Sequence, residues 1–394
     1  MRIAFAANPL PGHIVPMIPL MRAALAAGHD VAVVTNGATR PFIEVEASPE
    51  VEVLAAGMPT LEAMGEMHRR TGASPATAPR PDVIAEYFGV RRVSDSVDDA
   101  VQAARTWGAD VVVSESMDHV GPFVAAALDV PFFRHTYGPE RPEVLRTAMA
   151  RAVERSSRDR GVALPAVTAW IDAYPSFLED PGTDRPGHRI AVRPEAHHRP
   201  TSDTGSSADT AAPRHAGTGG RRRVLLTMGT VFTDQHLLDQ VVASVEAAEL
   251  AVDLVVTSVN GVHATSRPES TVSVENVPFR PIAEVLGSVD AVVTVGGAGT
   301  VLGALTSGVP MVVVPRGADH EVNATRAAAV GAALVERDPD AVGAALQQLL
   351  LDGRFAESAR TTAGRIASLP SAAEALARLE ELATSRSDGA VSAR

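Results

Sequence analysis

Apolar runs and helical repeats alternate along the chain. Arg2–Ala7 is an apolar run that predicts a strand. The segment NPLPGHIVP behind it reads as a turn-rich loop. Met17, Leu20, Met21, Ala24 and Leu25 recur at helical spacing and Gly28 closes the segment, which predicts a helix over 17–27. Asp30–Thr35 is the second strand. Strand, crossover helix and strand form a βαβ unit, and such a crossover implies parallel pairing. The order repeats with a helix over 97–107, a strand Asp110–Ser114, a helix over 120–128 and a strand Val130–Phe133, followed by a charged helix within 140–160.

The second half has the same rhythm. Val224–Thr227, Asp253–Ser258, Asp290–Val295 and Val309–Val314 are apolar, β-branched runs that predict buried parallel strands. Leu237–Glu249, Ile282–Leu286, a segment from Thr300 to near Gly308, and His320–Val330 predict helices. Asp338 reads as an N-cap with Pro339 at the first helical position, which accounts for the D-x-D spacing of Asp338 and Asp340 without a metal. Ser371–Leu382 is an amphipathic terminal helix. The class is α/β, with two βα domains.

Two stretches lose the pattern. Residues 55–90 carry Met58, Met64, Met67, prolines that include Pro75, Pro79 and Pro81, and Tyr87-Phe88 without clear periodicity, which fits a functional loop or a mobile surface insertion. From Glu179 to Gly220 the chain is rich in Gly, Pro, Ser and Thr and reads as a linker. The expected division is a first domain over 1–200, a linker over 201–222 and a second domain over 223–394. His188, His197, His198 and His215 fall in the Gly/Pro-rich stretch with no spacing that supports a metal site.

Composition narrows the function. The 394 residues are 45% hydrophobic, enough for two buried cores. A net charge of −12 argues against a nucleic-acid partner. With no cysteine there is no disulfide, thiolate nucleophile or Cys-ligated zinc, which fits a reducing cytoplasm. The N-terminus, broken by Pro9, Pro11, Gly12 and His13, does not read as a signal peptide, and no apolar run reaches the length of a membrane span.

The candidate chemistry lies where strands end. Gly296, Gly297 and Gly299 follow a strand and precede a helix, an arrangement that presents backbone N–H groups to a phosphate. Gly-Gly-x-Gly alone fits a tight turn without a ligand equally well. The spacing of Gly297, Gly299 and Gly303 is not the dinucleotide fingerprint, which disfavours a nicotinamide site. His13 follows the first strand, at the carboxyl end of a parallel sheet where such sheets bind ligands. An imidazole there can accept a proton if a carboxylate orients it. Glu115, at the end of the strand Asp110–Ser114, is the candidate partner, with Asp118 as the fallback. His13 by itself also fits a loop histidine with structural contacts.

A longer pattern is more specific. GGAGT over 296–300, GVP eight residues after Thr300, Pro315, Asp319-His320, Asn323-Ala324 and Arg326 together resemble the donor-site signature of nucleotide-sugar-dependent glycosyltransferases of bacterial natural-product biosynthesis, the family 1-like branch with the GT-B fold. The stretch from Gly12 through Gly28-His29 to Thr35 resembles the opening of that family, and VVSESMDHVGP its carboxylate region.

The resemblance implies two Rossmann-like doubly wound domains facing a central cleft, the first for the acceptor and the second for the nucleotide sugar, with the last helix packing back on the first. It implies a metal-independent, inverting transfer with His13 as base and Glu115 as its partner. Gly229 and Thr230 would lie near the diphosphate with Gly296, Gly297, Gly299 and Thr300, and Val277 and Phe279 against the nucleobase, although Phe279 also fits an ordinary core. Asp319, His320 and Asn323 would meet the sugar. Pro11, Gly12, Met58, Met64, Tyr87 and Phe88 would line the acceptor pocket.

No cofactor is implied beyond the nucleotide sugar, dTDP-linked ahead of UDP-linked. The acceptor would be a bulky, partly aromatic aglycone, and a homodimer stays open. One departure stands out. The family usually has a His on the donor phosphates where this chain has Val295. Losing such a contact costs about 1.5–3 kcal/mol, one to two decades in binding or rate. Two alternatives follow: a weak or inactive partner protein that keeps the fold, and a nucleotide-sugar hydrolase or epimerase.

Overall fold

The structure, a computed structural model, describes residues 1–73, 75, 80–185, 187–200, 221–228, 234–258, 263–278, 280–317 and 319–391. Gly229, Thr230, Phe279 and residues 201–220 of the expected linker lie outside the described residues. The chain divides into two compact units, residues 1–175 with 181–193 and 370–394, and residues 176–180 with 194–369.

In the first unit the elements run β1 (Arg2–Ala6), α1 (Pro11–Ile14), α2 (Ile18–Ala26), β2 (Asp30–Thr35), α3 (Arg40–Glu46), β3 (Glu52–Ala55), α4 (Thr60–Thr71), α5 (Pro81–Glu86), α6 (Arg92–Trp107), β4 (Val111–Glu115), α7 (Gly121–Leu128), β5 (Phe132–His135), α8 (Glu143–Arg160), β6 (Ala169–Asp172) and β7 (Arg189–Ala191). The second unit carries β8 (Arg222–Thr227), α9 (Gln235–Ala247), β9 (Val252–Ser258), β10 (Ser273–Pro278), α10 (Ile282–Leu286), β11 (Ala291–Thr294), α11 (Ala298–Thr306), β12 (Met311–Val313), α12 (His320–Ala329), β13 (Ala333–Val335), α13 (Val342–Leu351) and α14 (Gly353–Ala367). The last helix, α15 (Ala372–Val391), belongs to the first unit. No described helix is long and apolar enough to cross a membrane.

Each unit is a parallel sheet with helices on both faces. The first sheet has the order β3-β2-β1-β4-β5-β6-β7 and the second β10-β9-β8-β11-β12-β13. Strand parity builds the layers, because successive side chains point to opposite faces. Ile3, Phe5, Val31, Val33, Val111 and Val113 pack with Met17, Leu20 and Met21 near α2 and with Ala375, Leu376 and Leu379 of α15. Ala4, Ala6, Ala32, Val34 and Val112 turn the other way, onto Val93, Val97, Ala100 and Ala104 of α6 and Val124 of α7. In the second unit Leu226, Leu254, Ala291 and Val293 pack on Leu238, Val241 and Val245 of α9 and on Val342 and Leu346 of α13. This is the doubly wound, two-domain GT-B architecture.

Two segments read as irregular are helical. The turn-rich loop over 8–16 contains α1, followed by a 3₁₀ turn Val15–Met17 that runs into α2. Pro11, Pro16 and Pro19 each stand at the start of one of these pieces, where a missing N–H costs nothing. His13 therefore rides on a helical turn and not on an open loop. Residues 60–71 form α4, which ends where Gly72 takes a left-handed φ of 71°. Ala63 and Met67 of α4 are buried against Tyr87, Phe88 and Met149 in a separate apolar cluster. Tyr87–Arg91 is a π-helical turn between α5 and α6.

Candidate active site

The first site forms where strand order reverses. β1 and β4 are neighbours in the middle of their sheet although far apart in sequence. Open α/β sheets take their ligands beyond the carboxyl ends at such a point. His13 lies beyond β1 and Glu115 is the last residue of β4. His13 Nδ1 is 2.8 Å from Glu115 Oε1. Asn8 Nδ2 donates to the same oxygen at 2.5 Å, and the Met117 N–H donates to Oε2 at 2.5 Å. Glu115 is fully buried, while the His13 side chain keeps 13% of its surface. With its Nδ1 proton given to the carboxylate, the imidazole has Nε2 free to accept another.

Burial by itself would raise the Glu115 carboxyl. The His13 charge and hydrogen bond, the Met117 N–H and the Arg141 charge outweigh it and hold the group at about 2. Asp118, the fallback, does not take this place. Its Oδ2 accepts from Ser114 Oγ and from the Gly121 N–H, both at 2.8 Å, which ties it to the start of α7. Burial and the Glu115 charge push Asp118 up.

Aromatic rings surround His13. Phe88 lies 5.9 Å from it and Tyr137 5.0 Å, centroid to centroid. Tyr87 meets Phe88 edge-on and is itself only 1% exposed, so its ring is a buried support for the wall. Met58 and Met64 pack on the same apolar cluster, which Met117 also joins. Pro11 and Gly12 share the helical turn with His13, and open space surrounds a Cβ placed at Gly12. Sequence reasoning missed Tyr137, Met117 and Asn8. Asn8 and Tyr137 each lie just past a strand end, beyond β1 and β5, and that position was the available signal.

Behind Glu115 the unit buries further polar groups. Arg134 donates to the Asp118 carbonyl at 2.7 Å and lies 3.3 Å from His119 Nδ1. Burial pushes His119 well below 6.5 and His135 down to about 4. Both are therefore neutral in the fold, while an unfolded chain takes up two protons as pH falls through 6.5. Stability contributed by the neutral rings is complete above that pH and is lost as pH drops toward 4. Acidification from about pH 7 to about pH 5.5 is expected to remove about 1 kcal/mol for each histidine. Trp107 and Trp170 both lie in the first unit, so their fluorescence in urea at the two pH values reads this loss.

The second unit repeats the reversal between β8 and β11. The glycine turn follows β11. Gly296 has φ +99°, and a Cβ there would meet Val313 Cγ1 at 2.8 Å and the His320 carbonyl at 3.1 Å. Gly297 is the N-cap of α11, and its carbonyl accepts from the Thr300 and Val301 N–H groups, both at 3.0 Å, which leaves the N–H groups of Ala298 and Gly299 for another acceptor. Open space surrounds a Cβ placed at Gly297 or Gly299, and Thr300 lies half-buried in the same turn. Asn323 Nδ2 donates to the Gly296 carbonyl at 2.9 Å and to Asp319 Oδ2 at 3.0 Å, which ties the glycine turn to α12. His320 is buried, and burial pushes its imidazole down. Arg326 pairs with Asp180 at 2.6 Å. Asp338 accepts from the Asp340 N–H at 3.0 Å, as an N-cap does. Gly296→Ala is expected to cost about 1–2 kcal/mol from the left-handed backbone and more from the contact with Val313, lowering the melting temperature.

Val295 follows β11 directly, one residue beyond Thr294. Its side chain is 2% exposed and belongs to the core with Val293, Leu226 and Val314. Val295→His is expected to place an imidazole in that core at a cost of about 1–3 kcal/mol, read by thermal melting. Val277 is half-buried on the edge strand β10.

Known proteins are similar to this chain over nearly its whole length. The profile described as Erythromycin biosynthesis protein CIII-like, N-terminal domain, matches residues 22–179, and that of the C-terminal domain residues 236–382. The chain is 30% identical to the L-demethylnoviosyl transferase of Streptomyces niveus, covering 95% of this chain and 96% of the relative. The solved glycosyltransferase SnogD of Streptomyces nogalater is 26% identical with a TM-score of 0.77, covering 97% of this chain and 99% of that one. The glycosyltransferase SsfS6 of Streptomyces sp. SF2575, solved with thymidine diphosphate, is 23% identical with a TM-score of 0.74, covering 97% and 99%. The chain belongs to the Erythromycin biosynthesis protein CIII-like glycosyltransferases, the family 1-like, GT-B transferases of antibiotic biosynthesis.

Proposed function

We propose that the chain transfers a deoxysugar from a dTDP-linked donor to a hydroxyl of a bulky, partly aromatic natural-product aglycone, with inversion and without a metal or bound cofactor. The observation that carries this reading is the His13–Glu115 contact at the strand-order reversal of the first unit. His13 Nε2 takes the proton of the acceptor hydroxyl as its oxygen bonds to the anomeric carbon. The bond from that carbon to the nucleotide diphosphate breaks, and both bonding electrons leave with the diphosphate. Glu115 stabilises the imidazolium that forms. The N–H groups that open α11, with the Thr300 hydroxyl, receive the charge on the leaving diphosphate. Asp319 and His320 meet the sugar.

Thymidine diphosphate in SsfS6 supports a dTDP-linked donor, and the L-demethylnoviosyl transferase supports transfer of an unusual sugar. The cysteine-free composition suits the cytoplasm as the site of reaction. The partner-protein alternative rests on Val295, which replaces the usual phosphate-binding His, and it predicts no nucleotide binding. Calorimetric titration with TDP and UDP tests the donor assignment. Micromolar TDP binding, tighter than UDP, is the expected result, and no binding of either would remove the transferase reading.

A further inference from the structure

The Glu115 carboxylate has a second side-chain donor that the transfer chemistry does not use. Asn8, two residues beyond the end of β1, is 1% exposed. Its Nδ2 lies 2.5 Å from Glu115 Oε1, the oxygen that also meets His13 Nδ1 at 2.8 Å. The orientation of the amide follows from this contact. Turned over, Asn8 Oδ1 would face a carboxylate oxygen with no proton between them. Asn8 Oδ1 is itself buried with no hydrogen-bond partner among the described residues. A group left this way is costly, and an apolar residue of similar size would avoid the cost. What Asn8 gains in return is the bond to Glu115.

We propose that Asn8 is a positioning residue, whose amide holds Glu115 Oε1 against His13 Nδ1 so that the imidazole presents Nε2 in one orientation. The Met117 N–H fixes the other oxygen at 2.5 Å. The Asn8 backbone N–H also reaches Oε1, at 3.5 Å. The side-chain amide and the Met117 N–H, each at 2.5 Å and on opposite oxygens, set the plane of the carboxylate. With the amide gone, only the longer backbone contact and His13 itself hold Oε1, and the group can turn about its terminal bond. The inference rests on the reading of His13 as base and adds to it how the carboxylate is aimed.

The test follows exchange of the His13 Nδ1–H proton with water by NMR at neutral pH, in protein carrying ¹⁵N-labelled histidine, with the signal assigned by its loss in His13→Gln. Asn8→Ala is expected to raise the exchange rate by about tenfold, toward the rate in Glu115→Gln, because the carboxylate no longer holds Nδ1 in one place. Asn8→Ser, which keeps a hydroxyl donor, is expected to recover part of the protection. Adding Asn8→Ala to Glu115→Gln should change nothing further. Asp118, His119, Arg134 and Arg141 around the carboxylate are present in all these proteins. An unchanged rate in Asn8→Ala, or an equal rise in both backgrounds, would overturn the proposal. So would failure of both Asn8 variants to fold, which would assign the residue to the fold alone. Full transfer activity in His13→Ala would instead sink the base assignment, whatever the exchange rates show.

Discussion

His13→Ala is expected to lower kcat by about 10²–10⁴ while leaving TDP affinity unchanged. The reason lies in where the two functions sit. The imidazole proposed to take the acceptor proton is in the first unit, held by Glu115 at 2.8 Å. The glycine turn at the N-terminus of α11, assigned to the diphosphate, is in the second. Removing the ring deletes a proton acceptor and touches none of Gly296, Gly297, Gly299, Asp319 or Asn323. Steady-state kinetics beside calorimetry separates the two effects. Equal loss of both would remove the role assigned to His13.

Glu115→Gln is expected to produce a loss of similar size, about 10²–10⁴ in kcat, with little change in donor KM. The substitution keeps the shape and removes the charge. In one orientation of the new amide its NH₂ faces the Met117 N–H, 2.5 Å from the position of Oε2. In the other it faces Asn8 Nδ2 and His13 Nδ1. Either way a buried donor loses its acceptor, and the imidazolium formed on proton transfer has no counter-charge. The same variant loses the carboxylate that is held at about 2 in the fold. That ionised group contributes stability above the ordinary carboxylate range, near 4.5, and the contribution fades as pH falls toward 2. The variant therefore has a shallower acid unfolding limb below about pH 4.5, observable by tryptophan fluorescence.

The alternation of apolar runs disclosed the class, the parallel strands and the two βα halves, because buried parallel strands leave a strong signal. His13 and Glu115 were legible for the same reason: each is placed just beyond or at the end of such a run. What brings them together is strand order, and sequence periodicity does not encode that β1 lies beside β4. Asn8 was missed because an asparagine before Pro9 reads as a turn residue, and its polar end is aimed by tertiary contact. The helix Thr60–Thr71 was hidden because Glu62, Glu66, Arg69 and Arg70 dilute its apolar face, which packs only on the side cluster around Tyr87 and Phe88. Val295 shows a different limit. The motif marked it as the place of a missing phosphate contact, and only the packing shows that its side chain joins the core with Val293 and Val314.

The most direct measurement is product analysis of the wild-type protein with a dTDP-deoxysugar, with and without a phenolic acceptor such as 4-methylumbelliferone. Formation of a glycoside whose anomeric proton coupling shows inversion, with the donor stable when acceptor is absent, is the result expected of His13-assisted displacement. Release of free sugar without acceptor, or a glycoside with retained configuration, would contradict it.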